Sequence, residues 1–307
     1  MSYAFVFPGQ GSQSVGMLNE LASEHPIIEA TFKEASDALG YDLWQVVSQD
    51  SEGKLNQTDI TQPAMLTAGI AVFRVLADAI NLAPSYYAGH SLGEYTALVA
   101  SGALSLADGV KLVEKRGRFM QEAVPAGEGA MAAILGLEDD KIVDICEKSA
   151  GVVEAVNFNS PGQVVIAGAK QAVDDSLAAF EEAGAKRVVP LAVSVPSHCS
   201  LMVSASKKLE VELESVELSP SSAPVIHNAT VSSYTKPSEI KNALVKQLFQ
   251  PVQWVKTIEA MKENGVTQLF EVGPGKVLMG LNRRIDKKMG MQPVFDTKTL
   301  EKALALL

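Results

Sequence analysis

The chain has 307 residues, of which 47% are hydrophobic and 20% charged, and its formal net charge is −10. This composition excludes a disordered or collagen-like chain, and the negative charge argues against a general nucleic-acid binder. Two cysteines are too few for a disulfide framework and favour a reducing compartment. Arg74 and Asp78 interrupt the longest apolar stretch, so we expect no membrane span. We also expect a cytoplasmic protein without a signal peptide.

The first 126 residues predict alternating strands and helices. Apolar runs at 4–7 and 86–89 predict two short buried strands, each followed by a glycine-containing turn. The segment 57–80 predicts one long helix with Pro63 in its first turn, where proline is tolerated. Segments 92–101 and 105–124 predict two further helices, separated by Gly102.

The segment 127–195 predicts a separate small unit. Its strands are expected at 131–135, 152–157, 163–167 and 187–191, and its helices at 139–149 and 170–183. The order strand–helix–strand–strand–helix–strand is typical of a ferredoxin-like α+β fold. We therefore predict an α/β protein in which residues 127–195 form a small ferredoxin-like subdomain. It is inserted into a large subdomain made of 1–126 and 196–307.

The α/β pattern resumes after the insertion. Helices are expected at 200–214, 237–249 and 252–264, with Pro251 separating the last two. Strands are expected at 224–227 and 267–272, the second of them running into a Gly-Pro-Gly turn.

The sharpest local signal is Gly89-His90-Ser91-Leu92-Gly93, a G-x-S-x-G motif between a predicted strand and a predicted helix. This context is the one that a nucleophile elbow requires, with the serine exposed at a helix start. The N–H groups and dipole at that helix start could hold an oxyanion. The alternative is a glycine-rich turn that contains an ordinary serine.

A serine nucleophile needs a base, and the chain has only four histidines. His25 precedes a proline and is expected in a surface loop, and His90 adjoins the serine on a sharp turn. His198 lies where the small unit returns to the large one, and a junction of this kind is where a cleft forms. From position alone His198 is favoured only modestly over His227, which ends a predicted strand.

Several motifs spread along the whole chain resemble those of malonyl-CoA:acyl carrier protein transacylases of type II fatty acid synthesis. That family implies an α/β-hydrolase-like large subdomain with a mainly parallel sheet. The matching motifs, in chain order, are FPGQGSQ at 7–13, GHSLGE at 89–94, RGRFM at 116–120, NFNSPGQ at 157–163, VPSH at 195–198, QL at 247–248 with PVQW at 251–254, and EVGPG at 271–275.

The resemblance implies a role for each matching residue. Ser91 would carry the acyl group, His198 would act as the base, and Gln247 would orient His198 through its backbone carbonyl. The backbone N–H groups of Gln10 and Leu92 would form the oxyanion hole. The substrate-binding residues would be Arg116, Met120, Asn159 and Val195.

The substrates implied are malonyl-CoA and the 4'-phosphopantetheine thiol of an acyl carrier protein, with no tightly bound cofactor and no metal. Arg116 would select malonyl, because a guanidinium fork matches a carboxylate that acetyl lacks. Sequence alone would favour an exposed position for Arg116, beside Glu114 and Lys115. Leu92 after the serine is associated within the family with malonyl rather than methylmalonyl.

An acyl carrier protein is acidic, so docking on a chain of net charge −10 needs a local basic surface. One candidate group follows the Gly-Pro-Gly turn and would share one face if that segment is helical. A second lies at the edge of the small unit. An ordinary solvated helix face is an equal alternative. The candidate residues are Lys276, Arg283, Arg284 and Lys287 in the first group, and Lys186 and Arg187 in the second.

Three other functions are compatible with parts of the pattern. A serine thioesterase shares G-x-S-x-G, although α/β-hydrolases place the histidine near the C-terminus. An acyltransferase acting in trans for polyketide synthesis would perform the same chemistry in another pathway. A non-catalytic carrier-binding module would be expected to have lost Ser91, His198 or Arg116, and all three are present.

Overall fold

Two β-sheets form the framework of the protein in this computed structural model, which describes residues 2–192 and 195–307. The strands are β1 Tyr3–Phe7, β2 Tyr86–Gly89, β3 Gly129–Leu135, β4 Val153–Ser160, β5 Gln163–Ala169, β6 Arg187–Pro190, β7 Val225–Ile226, β8 Gln268–Val272 and β9 Gly290–Val294. The helices are α1 Asn19–Glu24, α2 Ile27–Leu39, α3 Leu43–Ser48, α4 Thr58–Ala79, α5 Gly93–Ala100, α6 Leu106–Ala123, α7 Asp139–Lys148, α8 Lys170–Glu182, α9 Val203–Glu214, α10 Pro237–Gln247, α11 Trp254–Glu263, α12 Val277–Ile285 and α13 Thr297–Leu304.

The larger sheet is parallel throughout, with the strand order β7-β2-β1-β8-β9. Its central strand β1 is buried on both faces, since the side chains of Ala4, Phe5, Val6 and Phe7 have no exposed surface. Burial on both faces explains why this strand is a continuous apolar run rather than an alternating one. The α/β class and the mainly parallel sheet expected from the sequence are confirmed.

Helix α4 lies in the core beside this sheet. Pro63 lies inside the helix, two residues beyond the first turn 58–61, so the first-turn position expected from the sequence is wrong. Gly69 packs so closely on Thr96 that a Cβ there would lie 2.7 Å from the Thr96 Cγ2 atom. Within residues 2–192 and 195–307, α4 is also the one helix whose length and hydropathy would suit a membrane span. Because 78% of the relevant window is buried inside the protein, its apolar surface is already used by the core.

The smaller sheet is antiparallel, with the strand order β4-β5-β3-β6. Strand side chains alternate between its two faces, so Ile134 and Ile166 pack with Phe180 and Ile142 of the two helices. Side chains on the opposite face form a second hydrophobic cluster, which includes Cys199, the residue after the predicted base. Its members include Met131, Ala133, Val165, Ala167 and Cys199. The ferredoxin-like arrangement expected from the element order is confirmed.

A short parallel β-bridge pairs Asn157 of β4, in the small sheet, with Val252, in the segment that follows α10. The Val252 N–H donates to the Val156 carbonyl at 2.8 Å, and the Phe158 N–H donates to the Val252 carbonyl at 3.0 Å. These bonds fix β4 beside the segment that follows α10. The small sheet therefore forms one wall of a cleft above the larger sheet.

The structure contains elements that the sequence did not predict, and some predicted elements are shorter than expected. Helices α1 and α3 have six residues each, too short for a clear period of 3.6 residues, and the edge strand β9 contains Pro293. The strand expected at 224–227 is only two residues long, and the helix expected to reach 249 ends at Gln247. Met1, Val193 and Ser194 lie outside the described residues, so the expected domain limits at 1 and 195 fall at or beside them.

Candidate active site

Ser91 lies on a sharp turn between β2 and α5. Its φ is 51°, in the left-handed region that a non-glycine residue rarely occupies. A Cβ at Gly89 would overlap the Gly93 carbonyl, and a Cβ at Gly93 would overlap the Phe7 carbonyl. Both motif glycines are therefore required by close backbone packing, and the turn presents the serine at the start of α5, as a nucleophile elbow does.

His198 is hydrogen-bonded to the serine. Its Nε2 atom lies 2.7 Å from Ser91 Oγ, and its Nδ1 atom lies 2.6 Å from the main-chain carbonyl oxygen of Gln247. Because a carbonyl only accepts, Nδ1 carries the proton and Nε2 is free to accept the serine proton. Burial, with a smaller contribution from the positive charge of Arg116, lowers the pKa of His198 to about 3. The imidazole is thus held neutral and oriented as a general base.

The Gln247 side chain ties three parts of the site together. Its Nε2 donates to the Ser91 carbonyl at 2.9 Å and to Glu94 Oε2 at 2.8 Å. Its Oε1 accepts from Arg116 Nη2 at 3.0 Å. Since its main-chain carbonyl also orients His198, this one residue contacts the nucleophile, the base and the arginine.

Arg116 points into the site from α6 and is only 1% exposed. Its Nη1 donates to Gln62 Oε1 at 2.7 Å, and its Nη2 lies 3.3 Å from Ser91 Oγ. The Tyr95 ring centroid lies 5.4 Å from the guanidinium carbon. Burial lowers the pKa of Arg116, but a guanidinium starts so high that it remains charged. It forms no ion pair within the described residues, which leaves a buried positive charge beside the serine.

Two backbone N–H groups are available to hold an oxyanion. The N–H groups of Leu92 and Gln10 have no hydrogen-bond partner among the described residues. Leu92 directly precedes α5, and Gln10 lies in the loop that follows β1, the strand paired with β2. Donors of this kind stabilise the negative oxygen of a tetrahedral intermediate.

These groups meet in a cleft with a volume of about 350 Å³. The large subdomain contributes most of the polar and charged lining, and the small subdomain contributes apolar side chains together with Asn157. The lining includes Gln10, Ser91, Leu92, Arg116, Met120, Met131, Asn157, Leu191, Val195 and His198. The cleft thus holds a serine, a neutral base, two free N–H donors and a buried cation. Together these groups can transfer an acyl group that carries a carboxylate, by way of an ester on the serine.

Comparison with known proteins agrees with this geometry. Residues 4–294 match the family described as "Acyl transferase domain". The chain belongs to that acyl transferase family. A malonyl CoA-acyl carrier protein transacylase of Escherichia coli strain K12 is 54% identical over 306 residues, which cover 99% of both chains.

Solved structures of similar proteins have the same fold as this acyl transferase. One is a malonyl-transacylase in complex with a type II polyketide synthase acyl-carrier protein; its TM-score is 0.98, with 51% identity and 100% of both chains covered. Another is an acyl carrier protein S-malonyltransferase of Vibrio cholerae. Its TM-score is 0.96, with 50% identity over 99% of this chain and 100% of that one.

Some of the residues expected to contact substrate line the cleft, and one does not. Met120 and Val195 line the cleft of the acyl transferase. Asn159 is not among the lining residues, and its Oδ1 atom lies 2.7 Å from His90 Nε2. Asn157 of β4 lines the cleft, and its Oδ1 has no partner among the described residues. The expected contact between Asn159 and substrate stays a prediction, and Asn157 is the asparagine of β4 that lines the cleft.

The basic residues proposed for docking meet at one end of the small sheet. Lys186 and Arg187 are exposed at the start of the edge strand β6. Arg284 of α12 donates from Nη1 to Gln163 Oε1 at 2.6 Å. Gln163 is paired with Leu135 across the sheet, and Leu135 is paired with Arg187. The two basic groups are thus connected through three adjacent strands.

The expected helical face that carries all four C-terminal basic residues is wrong. Helix α12 spans Val277–Ile285, so Lys276 precedes it and Lys287 follows it. Asp286 takes an extended conformation after the helix and pairs with Lys262 at 2.8 Å. This arrangement leaves only Arg283 and Arg284 on the helix itself.

The sequence analysis missed the polar groups that support the site from behind. Glu94 is fully buried and accepts hydrogen bonds from His227 Nδ1 at 2.7 Å, the Asn228 N–H at 2.9 Å and Gln247 Nε2 at 2.8 Å. His227 therefore binds a carboxylate and not the serine. The available signal was Glu94 itself, a charged residue directly after G-x-S-x-G in an otherwise apolar helix. Among the described residues no cluster of three or more potential metal ligands occurs.

Proposed function

We propose that this acyl transferase moves the malonyl group from malonyl-CoA to the phosphopantetheine thiol of an acyl carrier protein, supplying extender units for fatty acid synthesis. The observation that carries the proposal is the buried guanidinium of Arg116, which lies 3.3 Å from Ser91 Oγ without an ion-pair partner in the described chain. A buried charge of this kind stabilises an acyl group that brings its own carboxylate, and it penalises acetyl. The names of the relatives support the same substrate and acceptor.

The first half-reaction acylates Ser91. His198 Nε2 takes the serine proton as Oγ forms a bond to the thioester carbon of malonyl-CoA. The negative oxygen that results is held by the N–H groups of Gln10 and Leu92. When the C–S bond breaks, the sulfur takes the proton from His198, so free CoA leaves and malonyl remains as a serine ester.

The second half-reaction repeats these steps with a different thiol. His198 takes the proton of the carrier's phosphopantetheine thiol, and the sulfur attacks the ester carbon. The C–Oγ bond then breaks, and His198 returns its proton to Ser91. Throughout, the Gln247 carbonyl keeps Nδ1 protonated, so no aspartate is needed as in a Ser-His-Asp triad.

We assign the wall of the acyl pocket to Met120 and Val195, with the amide of Asn157 in the place first given to Asn159. The Met120 sulfur lies 3.6 Å from Gln62 Nε2, so the residue that orients Arg116 also contacts the pocket wall. No tightly bound cofactor enters this chemistry, since the proton and the acyl group are both passed between protein and substrates.

We assign docking of the acidic carrier protein to the basic end of the small sheet, where Lys186, Arg187 and Arg284 lie. The limits of the two subdomains stay as proposed, 127–195 for the small one and 1–126 with 196–307 for the large one. We also propose a cytoplasmic location, which fits the two buried, unpaired cysteines.

The intact mass of the protein after brief incubation with malonyl-CoA or acetyl-CoA tests the proposal. Wild type should gain a malonyl adduct that added carrier protein removes. Ser91→Ala should gain none, and Arg116→Ala should gain far less. Arg118→Ala is the matched control, because Arg118 lies on the same helix but is exposed and pairs with Glu114.

Three outcomes would contradict this function. Equal labelling by both CoA esters, unchanged by Arg116→Ala, would refute selection of malonyl. Free CoA without a lasting adduct would indicate a thioesterase. Discharge by a polyketide carrier protein but not by a fatty acid carrier protein would place the enzyme in the other pathway.

A further inference from the structure

Asn228 lies directly behind the nucleophile, although it does not line the cleft. It follows β7, has no exposed surface and extends its side chain to the elbow. Its Oδ1 accepts from the Ser91 N–H at 2.7 Å, and its Nδ2 donates to the Gly89 carbonyl at 2.7 Å. The two backbone groups fix the orientation of the amide, since an N–H must face the oxygen and a carbonyl must face the nitrogen.

The two bonds restrain the residues on either side of His90. Ser91 has a φ of 51°, a conformation that persists only where the surroundings hold it. The side chain of Asn228 supplies that restraint from one side, and the Gln247 amide supplies it through the Ser91 carbonyl. Because the Ser91 N–H is committed to Asn228, the next N–H along, that of Leu92, is the one left for the cleft.

Asn228 is itself anchored to the group that holds the base. Its N–H donates to Glu94 Oε2, the same oxygen that accepts from Gln247 Nε2. Its carbonyl accepts from the Gln253 N–H at 3.1 Å. A single buried carboxylate therefore fixes the residue behind the nucleophile and the residue that orients His198.

We propose that Asn228 is a positioning residue for acyl transfer, which holds Ser91 Oγ and the Leu92 N–H in their reacting geometry. The proposal rests on the acyl transfer put forward above. It assigns Asn228 to the chemical step and not to substrate binding, because both hydrogen bonds of its side chain within the described residues go to the elbow. Misplacing a reacting group by about 1 Å can cost on the order of 10²-fold in rate.

The test compares Asn228→Ala and Asn228→Ser with two controls. The alanine variant removes both bonds while keeping the backbone contacts to Glu94 and Gln253, and the serine hydroxyl is too short to reach both backbone groups. Asn282→Ala is the control for loss of a buried asparagine, since Asn282 is equally buried and binds Trp254 Nε1. Thr230→Val is the control for the same loop, because the buried Thr230 hydroxyl has no partner in the described chain.

Two rates are measured for each variant. One is malonyl transfer to the carrier protein, resolved into kcat and KM. The other is covalent labelling of Ser91 by a neutral fluorophosphonate, which needs the nucleophile and the oxyanion hole but no malonyl selection. For both Asn228 variants we expect kcat and the labelling rate to fall about 10²-fold, with KM changed less than about 3-fold. The controls should keep kcat within about 3-fold of wild type.

A fall in kcat no larger than that of Asn282→Ala would overturn the positioning role, as would a raised KM with unchanged kcat. Should Asn228→Ala fail to fold, Asn228→Ser decides by the same criteria. Failure of the proposed function is distinguishable. In that case wild type does not transfer malonyl, while the effect of Asn228 on fluorophosphonate labelling remains.

Discussion

The guanidinium of Arg116 lies 3.3 Å from the hydroxyl oxygen of Ser91, and the Gln247 side chain joins the two residues by accepting from Arg116 and donating to the Ser91 main-chain carbonyl. The site that selects a carboxylate and the atom that attacks the acyl carbon are thus parts of one hydrogen-bonded network. A positive charge at this distance acts twice. It attracts an acidic acyl group, and it adds to the burial that lowers the pKa of His198 and keeps that base neutral.

Replacement of Arg116 by lysine should reduce kcat/KM for malonyl-CoA by about 10²-fold although the charge is kept. A lysine ammonium cannot reproduce the planar fork that binds Gln62 and Gln247 at once and still faces a carboxylate. Acylation by acetyl-CoA, which makes no such contact, should change less. Steady-state kinetics with both esters measures the difference. Arg118→Lys serves as the control, and a malonyl rate within a few-fold of wild type would contradict the role of the fork.

Labelling of Ser91 by a neutral fluorophosphonate should show no inflection near pH 6.5. Burial and the charge of Arg116 lower the pKa of His198 from 6.5 to about 3. The folded protein thus keeps a neutral base throughout that interval, and loses it only as the pH falls toward 3. Arg116→Gln removes the second cause but not the first. It should therefore move the acidic limb to higher pH. An acidic limb at pH 6.5 in wild type, or no movement in the variant, would refute this account.

The strands and the elbow could be predicted because their causes are local. An apolar run ending at Gly89 and a serine between two glycines specify a strand, a turn and a helix start within a few residues. Burial of Arg116 could not be predicted from local pattern, because its partners Gln62 and Gln247 lie 54 and 131 residues away in the chain. The same applies to Asn228, whose partner Ser91 is 137 residues distant.

The different positions of Asn157 and Asn159 have a related cause. The pairing of β4 with β5 is irregular between Phe158 and Ser160, so simple alternation along the strand could not tell which asparagine reaches the cleft and which reaches His90. Helix α12 shows the opposite limit. Its basic residues fit a single helical face by spacing, yet the helix ends at Ile285, and the extended Asp286 that follows pairs with Lys262, 24 residues away in the chain.

Charge reversal at Arg283 and Arg284 should raise the KM for the carrier protein and leave acylation by malonyl-CoA nearly unchanged. Both side chains are exposed, and Arg284 is held at the small sheet by Gln163. Their charges would attract an acidic partner to the basic end of the small sheet, and salt would weaken this attraction. The variant Lys298→Glu/Lys302→Glu changes net charge equally on exposed positions of α13 and is the control. An equal rise in KM for both variants would show that only net charge matters, and an unchanged KM would exclude this surface from docking.

Glu271 should make the protein less stable as the pH rises from 4.5 to about 7. Its carboxyl group is 2% exposed and accepts from the N–H groups of Leu278 and Met279 at the start of α12. Burial outweighs these bonds and raises the pKa of Glu271 from 4.5 to about 7. In that interval the folded state binds more protons than the unfolded state, so the free energy of unfolding falls with increasing pH. The loss is on the order of 3 kcal/mol between the two limits and is complete above pH 7.

Denaturant unfolding of wild type and Glu271→Gln across this pH range isolates the contribution of Glu271. His198 contributes with the opposite sign, since its lowered pKa makes stability rise with pH up to 6.5, but that contribution is the same in both proteins and cancels in their difference. The glutamine has one acceptor where Glu271 has two, so the variant should be less stable than wild type at pH 4.5. Its deficit should shrink as the pH rises from 4.5 to about 7, because only wild type acquires a buried charge in that interval. Glu263→Gln, an exposed change on α11, is the control for the substitution of a glutamate by glutamine. A deficit that does not shrink would mean that Glu271 is ionised throughout the range, with the N-terminus of α12 offsetting its burial.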